Sequence, residues 1–273
     1  MTKSLAIIAG KGPLPTKVAH AARNEGYDIL VLPIIGQADA NFDGFDAIPI
    51  RLGAISSTRA TILAHGITKL VMVGKVQWPS LAALRPDFDG VKLLSKMMTK
   101  GDDNALRLIM CYFAEKDIEI VGADQFMPDR NLPKGFTVGA APNAAEMALI
   151  AQGVLVLSAL GPHDVGQSIV LQNGRVLAIE AAEGTDAMIA RCLNLLHADD
   201  GVACFVKMTK PQQDRQLDTP VMGRATIEAA ARAGIGLLAV EAETVLLADE
   251  IERIVETCKA LDVRLVAIEN SGP

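Results

Sequence analysis

Aromatic residues are scarce: one Trp, two Tyr and seven Phe, 4% of a 273-residue chain. Half the residues are apolar, so any core must be built from aliphatic side chains and alanine. Cysteine is also sparse. Cys111, Cys192, Cys204 and Cys258 show no CxxC spacing, which argues against a disulfide framework or a structural zinc and predicts buried free thiols. Such usage fits a reducing compartment. Basic runs are missing, none exceeding two residues, and the formal net charge is −6. The footprint of a nucleic-acid-binding protein is therefore absent, while a local positive pocket for a small anion stays open on an acidic surface. No stretch approaches the roughly 18 apolar residues of a membrane span. Leu5 to Ala9 is too short for the apolar part of a signal peptide. The expectation is a cytoplasmic protein that binds no nucleic acid.

What is there is an alternation of short aliphatic runs and helical patterns. The length suits two domains of about 100–150 residues each. Leu5–Ala9, Ile29–Leu32, Leu70–Val73 and Ile118–Val121 read as strands. Between them, helices are expected around Leu14–Ala21, over Thr58–His65 and over about Lys92–Glu115. Strands alternating with helices imply a parallel sheet covered on both faces. Pro128, Pro133, Gly135, Gly139 and Pro142 then break the periodicity, marking an interdomain linker between Gly122 and Pro142. We divide the chain into an N-terminal nucleotide- and phosphate-contacting domain, 1–136, and a C-terminal catalytic domain, 137–273.

The second half opens with Met147, Ile150, Val154 and Leu157 at helical spacing. Ser168–Leu171 and Val176–Ile179 flank Asn173-Gly174, a type I′ hairpin signal. Helices around Ile189–Leu196, Ala225–Ala233 and Ile251–Cys258 alternate with strands Val202–Val206, Leu237–Val240 and Arg264–Ile268.

Chemistry-bearing residues gather at strand ends. Gly10-Lys11-Gly12-Pro13 follows the first strand and precedes a helix, where glycine lets a backbone approach an anion and the helix terminus favours one. It reads equally as a tight turn, being neither a Walker A loop nor a full GxGxxG. Gly74, Lys75 and Trp78 leave the third strand at the same edge; Lys75 could meet a phosphate, and Trp78 could stack or simply pack. Gly101-Asp102-Asp103 suits a helix cap. In the second half, Glu180, Glu183, Thr185 and Asp186 lie between a strand end and a helix start. Three carboxylates so close repel unless something cationic binds them. Val202–Val206 ends in Lys207 and a polar loop holding Lys210, Gln213, Asp214, Arg215 and Asp218. Carboxylates converging on one edge with Lys and Arg among them suit metal-assisted phosphoryl chemistry. The four histidines show no zinc spacing, and no Gly-x-Ser-x-Gly pattern points to acyl transfer.

These motifs resemble the LpxI-type UDP-2,3-diacylglucosamine pyrophosphatases of bacterial lipid A synthesis. The resemblance spans nearly the whole chain: Ile-Ile-Ala-Gly-Lys-Gly-Pro-Leu-Pro, Gly74-Lys75-Val76, Gly101-Asp102-Asp103, Asp164-Val165-Gly166-Gln167, Glu183-Gly184-Thr185-Asp186, Lys210-Pro211-x-Gln213-Asp214, and Asp218-x-Pro220-x-x-Gly223 with Thr226. It implies a two-domain α/β enzyme, an N-terminal Rossmann-like parallel sheet and a C-terminal α/β domain, with the ligand in the interdomain cleft and the acyl chains in an apolar cavity between the domains. The implied reaction splits UDP-2,3-diacylglucosamine into UMP and 2,3-diacylglucosamine 1-phosphate, water attacking the sugar-side phosphorus, with Mg²⁺ or another divalent cation. On that reading Glu183, Asp186 and Asp214 hold metal, and Asp186, Asp214 and Asp218 do the chemistry with position 225. Gly10, Lys11, Gly12, Gly74, Lys75, Asp164, Gln167, Thr185, Lys210, Gln213, Arg215 and Thr226 bind substrate. Partners are the lipid substrate or product, with room for peripheral contact with the inner face of the inner membrane and for homo-oligomers.

One position departs. Family members often carry aspartate before the threonine that follows Asp-x-Pro-x-x-Gly; here it is Ala225. That implies impaired turnover, against the plainer view that a variable position holds a good helix former. A non-catalytic nucleotide-lipid binding or regulatory protein is the alternative. A Rossmann-type oxidoreductase is disfavoured by the incomplete glycine pattern and the lack of a well-placed ribose-binding acid after the second strand.

Overall fold

The computed structural model describes residues 3–77, 84–97, 102–210 and 219–269. Trp78, Gly101, Gln213, Asp214, Arg215 and Asp218 lie outside the described residues. The chain separates into two compact units, one running to Pro128 and the other beginning at Asp129.

The first unit holds β1 (Lys3–Ala9), α1 (Leu14–Asn24), β2 (Tyr27–Pro33), β3 (Asp46–Ala47), α2 (Ile55–Ala64), β4 (Lys69–Val73), α3 (Phe88–Met97), α4 (Asp102–Ala114) and β5 (Glu119–Ile120). Its five strands run in the order β3-β2-β1-β4-β5, all parallel. The order reverses between β1 and β4, the switch point at which open parallel sheets bind ligands. Burial follows from composition: β1 and β2 are near-continuous aliphatic runs because helices lie over both faces. The single helix expected over about 92–115 is instead two, α3 and α4, on either side of residues 98–101.

The second unit contains β6 (Thr137–Val138), α5 (Ala144–Leu160), β7 (Ser168–Gln172), β8 (Arg175–Ile179), α6 (Thr185–Cys192), β9 (Ala203–Lys207), β10 (Val221–Met222), α7 (Arg224–Ala233), β11 (Ile235–Glu241), β12 (Leu246–Leu247), α8 (Ile251–Ala260) and β13 (Arg264–Ile268). Six strands form a mixed sheet, β6-β13-β11-β9-β7-β8. β9, β11 and β13 are parallel, while β7 and β6 run against their neighbours. Asn173 and Gly174 both take positive φ, 49° and 71°, as a type I′ turn requires. The stretch read as a linker is not structureless: it carries two 3₁₀ turns, Ala123–Phe126 and Pro128–Arg130, and then β6.

α5 begins at a capping box. The Asn143 side chain accepts the Glu146 N–H at 3.0 Å, and Glu146 accepts the Asn143 N–H at 2.9 Å. Glu146 also takes Arg264 of β13 at 3.0 and 2.5 Å, tying helix to sheet. Ile150 and Leu157 pack on Ile169, Leu171, Cys204 and Val206 of one sheet face; Ile189, Ile227 and Ile254 of the other three helices cover the opposite face. Contrary to the expectation that no stretch approaches a membrane span, Ala144–His163 is 20 residues long with a mean hydropathy of 1.7. Its inner face is nonetheless part of this core, and the capping box and Arg264 pair fix its start to the sheet.

Cys192, Cys204 and Cys258 are buried free thiols, as expected, whereas Cys111 is exposed. Burial pushes the Cys204 thiol up to about 12 and that of Cys258 to about 11, so both stay protonated and inert.

Candidate functional site

Two sheet edges collect the polar groups. At the first unit's switch point the loops after β1 and β4 are joined through their main chains. The Gly10 N–H reaches the Val73 carbonyl at 2.8 Å, and Lys11 and Lys75 exchange N–H···O bonds of 2.8 and 3.0 Å in an antiparallel bridge. Glycine is required for this approach. A Cβ on Gly10 would stand 2.7 Å from the Lys75 carbonyl oxygen, and one on Gly74, at φ +101°, 2.8 Å from the Gly10 carbonyl carbon. A bonded antiparallel pair holds its Cα atoms about 5.5 Å apart, so two lysine side chains leave neighbouring points. Two cationic side chains leaving neighbouring points suit an anionic ligand. Gly10, Lys11, Gly12, Gly74 and Lys75 are thus brought together, as the sequence suggested.

Sequence reasoning missed the braces behind this edge. An acid does follow β2: Asp39 accepts the Gly12 N–H at 2.7 Å and so holds the glycine loop. Gln37, from the same loop, bonds both main-chain groups of Gln77. Behind the edge lies an apolar cavity of about 80 Å³, lined by Ile8, Ile34, Ile50, Met72, Leu93 and Phe113 among others. Its lining is chiefly aliphatic, with Arg51 and Thr58 also on it, and suits apolar groups.

The second unit's edge is built from side chains. β7 runs against both β8 and β9, so the carboxyl ends of β8 and β9 share one edge with the start of β7. Lys207, the last residue of β9, is buried and donates to Ser168 Oγ and Thr185 Oγ1, both at 3.1 Å. Thr185 donates in turn to Glu180 at 2.9 Å, and Lys207 Nζ stands 3.9 Å from the second Glu180 oxygen. Lys210 pairs with Asp164, which sits in the left-handed region at φ 55°. A Cβ on Gly166 would overlap the Glu180 carbonyl, so glycine is needed beside that strand end. Gln167 accepts the Met208 N–H through its main-chain oxygen at 3.0 Å. Glu241, ending β11, accepts the Thr209 N–H at 2.7 Å and the Thr244 hydroxyl at 2.8 Å.

This arrangement revises one step of the sequence argument. Glu180 faces Lys207, and Glu183 is paired with Arg191 at 2.8 Å. Two of the three crowded carboxylates are therefore balanced by the protein's own cations. Asp186 is exposed in the first turn of α6. Among the described residues no three Asp, Glu, His or Cys side chains converge to hold a metal ion; the described residues alone do not make a Mg²⁺ site, and Asp214 and Asp218 lie outside them. α7 connects parallel neighbours β9 and β11, so its N-terminus faces their carboxyl ends. There Asp249 accepts the Arg224 N–H at 2.9 Å, Thr226 is buried and Ala225 is exposed. Ser168 and Glu241 were not singled out, and Lys207 was noted only as a strand end. For Lys207 and Glu241 the signal was a charged residue closing an otherwise apolar strand, as in Ala203–Lys207 and Ile235–Glu241; Ser168, at the start of β7, carried none.

Both units have known relatives. Residues 4–130 match the LpxI N-terminal domain and residues 133–266 the LpxI C-terminal domain. The UDP-2,3-diacylglucosamine pyrophosphatase LpxI of Caulobacter vibrioides is 32% identical over 275 residues, 98% of each chain. Among solved structures, the UDP-glucose 4-epimerase of Thermus thermophilus in complex with NAD is 13% identical, covering 99% of this chain and 88% of that one at a TM-score of 0.31. The GalE-like L-threonine dehydrogenase of Cupriavidus necator is 9% identical, covering 98% and 91%, also at 0.31. Structural likenesses at that level carry no argument here.

Proposed function

Because the chain belongs to the LpxI family, we propose that it hydrolyses the diphosphate of UDP-2,3-diacylglucosamine in lipid A biosynthesis, releasing UMP and 2,3-diacylglucosamine 1-phosphate. The observation that carries this reading is the end-to-end match to the Caulobacter pyrophosphatase. Local chemistry agrees with it. Lys11 and Lys75 suit phosphate oxygens, and the largely apolar cavity behind them suits an aliphatic chain. In the second unit Lys207 holds Ser168, Thr185 and Glu180 in one network, so the start of α6 presents its N–H groups beside a fixed cation. Lys210, Arg215, Asp164, Gln167, Gln213 and Thr226 complete the groups that would hold the substrate.

Mg²⁺ is part of the proposal. Asp186 would bind it with Asp214 and Asp218, and Glu183 would join only by leaving Arg191. A divalent ion there would neutralise diphosphate oxygens and ease ionisation of the attacking water. Metal binding is checked without turnover: Mg²⁺ should raise the melting temperature of the wild-type chain and not that of Asp186→Asn. The reaction is checked by UMP release from UDP-2,3-diacylglucosamine in H₂¹⁸O, with the label expected in 2,3-diacylglucosamine 1-phosphate. Label in UMP would place the attack on the other phosphorus; no UMP release by either the wild type or Ala225→Asp would end the hydrolase reading.

Ala225 favours a second statement. It stands exposed in the first turn of α7, at the position where the family resemblance implies an aspartate. We propose that this chain binds substrate but turns over slowly, and that Ala225→Asp raises hydrolysis by orders of magnitude. Equal rates for the two forms would sink that idea. The enzyme is expected to act in the cytoplasm, with peripheral contact with the inner membrane where its lipid substrate resides.

A further inference from the structure

Gln37 lies beyond β2 and Gln77 beyond β4, on the two sides of β1 at its carboxyl edge. The Gln37 carboxamide donates from Nε2 to the Gln77 carbonyl at 2.7 Å and accepts the Gln77 N–H through Oε1 at 3.1 Å. One residue of extended chain thus offers a donor and an acceptor side by side. A single amide, carrying its acceptor and donor on one carbon–nitrogen bond, satisfies both. Both glutamines have an apolar neighbour turned to solvent: Ile35 is 61% exposed and Val76 36%.

We propose that the main-chain edge of Gln77 reads the nucleobase, and that the Gln37 carboxamide holds that place until a uracil-type base displaces it. A uracil presents O4=C4–N3–H, with the carbonyl and N–H on one carbon–nitrogen bond, as the primary amide does. Exchange of one for the other leaves the number of hydrogen bonds unchanged. The difference in favour of the base comes from its flat apolar faces, for which the exposed Ile35 and Val76 of the two loops offer apolar surface. The location agrees with the fold: at a parallel-sheet switch point the nucleotide lies across the carboxyl ends of the strands. Asp39, on the Gly12 N–H, fixes the β2 loop two residues further on, so Gln37 is delivered by a braced segment. The choice of uracil rests on the nucleotide-sugar reading above; the displacement itself rests on the paired hydrogen bonds.

A bare structural strut would use the same two bonds, and it makes the opposite prediction. If Gln37 competes with the base, the apparent Kd is raised by the fraction of molecules in which the edge is covered. Gln37→Leu in the full chain should therefore bind UMP about fivefold more tightly by calorimetry, for an edge covered about four-fifths of the time. Unchanged or weaker binding by Gln37→Leu with its melting temperature intact would overturn the proposal. A measurement on the wild type keeps the test independent of how that variant folds. The Gln37 side-chain amide protons should shift upfield in ¹⁵N-edited spectra when UMP is added, and stay in place with ribose 5-phosphate, which has no base. UMP binding with the Gln37 amide unmoved overturns this inference alone. A wild-type chain that binds neither UMP nor UDP overturns it together with the nucleotide-sugar reading.

Discussion

The two sheet edges solve the same problem in different materials. In the first unit the edge is mostly main chain welded to main chain, Gly10 to Val73 and Lys11 to Lys75, with one side-chain carboxamide, that of Gln37, on the main chain of Gln77. In the second it is a network of side chains centred on Lys207 and flanked by the Lys210–Asp164 pair. The difference follows from topology. A wholly parallel sheet returns its chain through crossovers, here helical except for the loop from β2 to β3, so its edge is a row of loops rich in main-chain amides and carbonyls. Inserting the antiparallel β7 brings a strand start beside two strand ends, and Ser168 meets Lys207 directly. Main-chain edges are insensitive to pH and intolerant of added volume, whereas side-chain edges are the reverse.

That contrast can be broken by substitution. The largest effect is expected at Lys207, which is buried with Glu180. Lys207→Met leaves a carboxylate among groups no longer balanced, at a cost of about 3–5 kcal/mol. Urea unfolding of Lys207→Met, Glu180→Gln and the double variant should show the double variant losing less than the sum; strict additivity would mean that the pair is not coupled. A smaller loss, about 2–3 kcal/mol, is expected for Gly10→Ala, where the new Cβ meets two carbonyl oxygens, one on Lys75 and one on Gly74. UMP affinity should fall with it, and a neutral outcome in both would show the weld to be loose.

The smallest effect sharpens the comparison through pH. Hydrogen bonds from Arg264 hold the Glu146 carboxyl below the usual carboxylate range, outweighing the opposing effect of burial. A carboxyl with a lowered folded pKa contributes stability that is present above its unfolded pKa and is lost as pH falls through its folded value. Glu146→Gln should therefore cost about 2 kcal/mol near neutral pH and show a shallower loss of stability on acidification. A wild-type acid limb with the same slope as the variant's would remove Glu146 from that role.

Local features were legible in the chain; distant pairings were not. Leu5–Ala9 and Val202–Val206 read as strands because an uninterrupted aliphatic run needs no partner to be recognised. Asn173-Gly174 read as a turn because its backbone demands are met within two residues. Of the five two-residue strands, β5 lies within the aliphatic run Ile118–Val121 and was legible, whereas β3, β6, β10 and β12 carry no periodicity and exist through their partners. The site divided in the same way. Clusters contiguous in sequence stood out as charge density, but the cation that balances Glu180 could not be assigned without knowing that β7 lies between β8 and β9. Asp39 escaped notice because it sits well beyond β2, in a loop without a motif, and reaches back to Gly12.

β6 has a final consequence. In the described sheet it bonds only β13, through Val138 to Leu265 and Thr137 to Val266. The first strand of the second unit thus waits for the last one, and during synthesis this sheet stays open until residues 264–268 leave the ribosome. The same clasp sets the unit's first and last strands side by side, one strand spacing of about 4.8 Å apart in the bonding direction. A unit whose first and last strands pair can be cut and rejoined: a circular permutant opened at Asn173-Gly174 and linked across β6 and β13 should keep its native sheet.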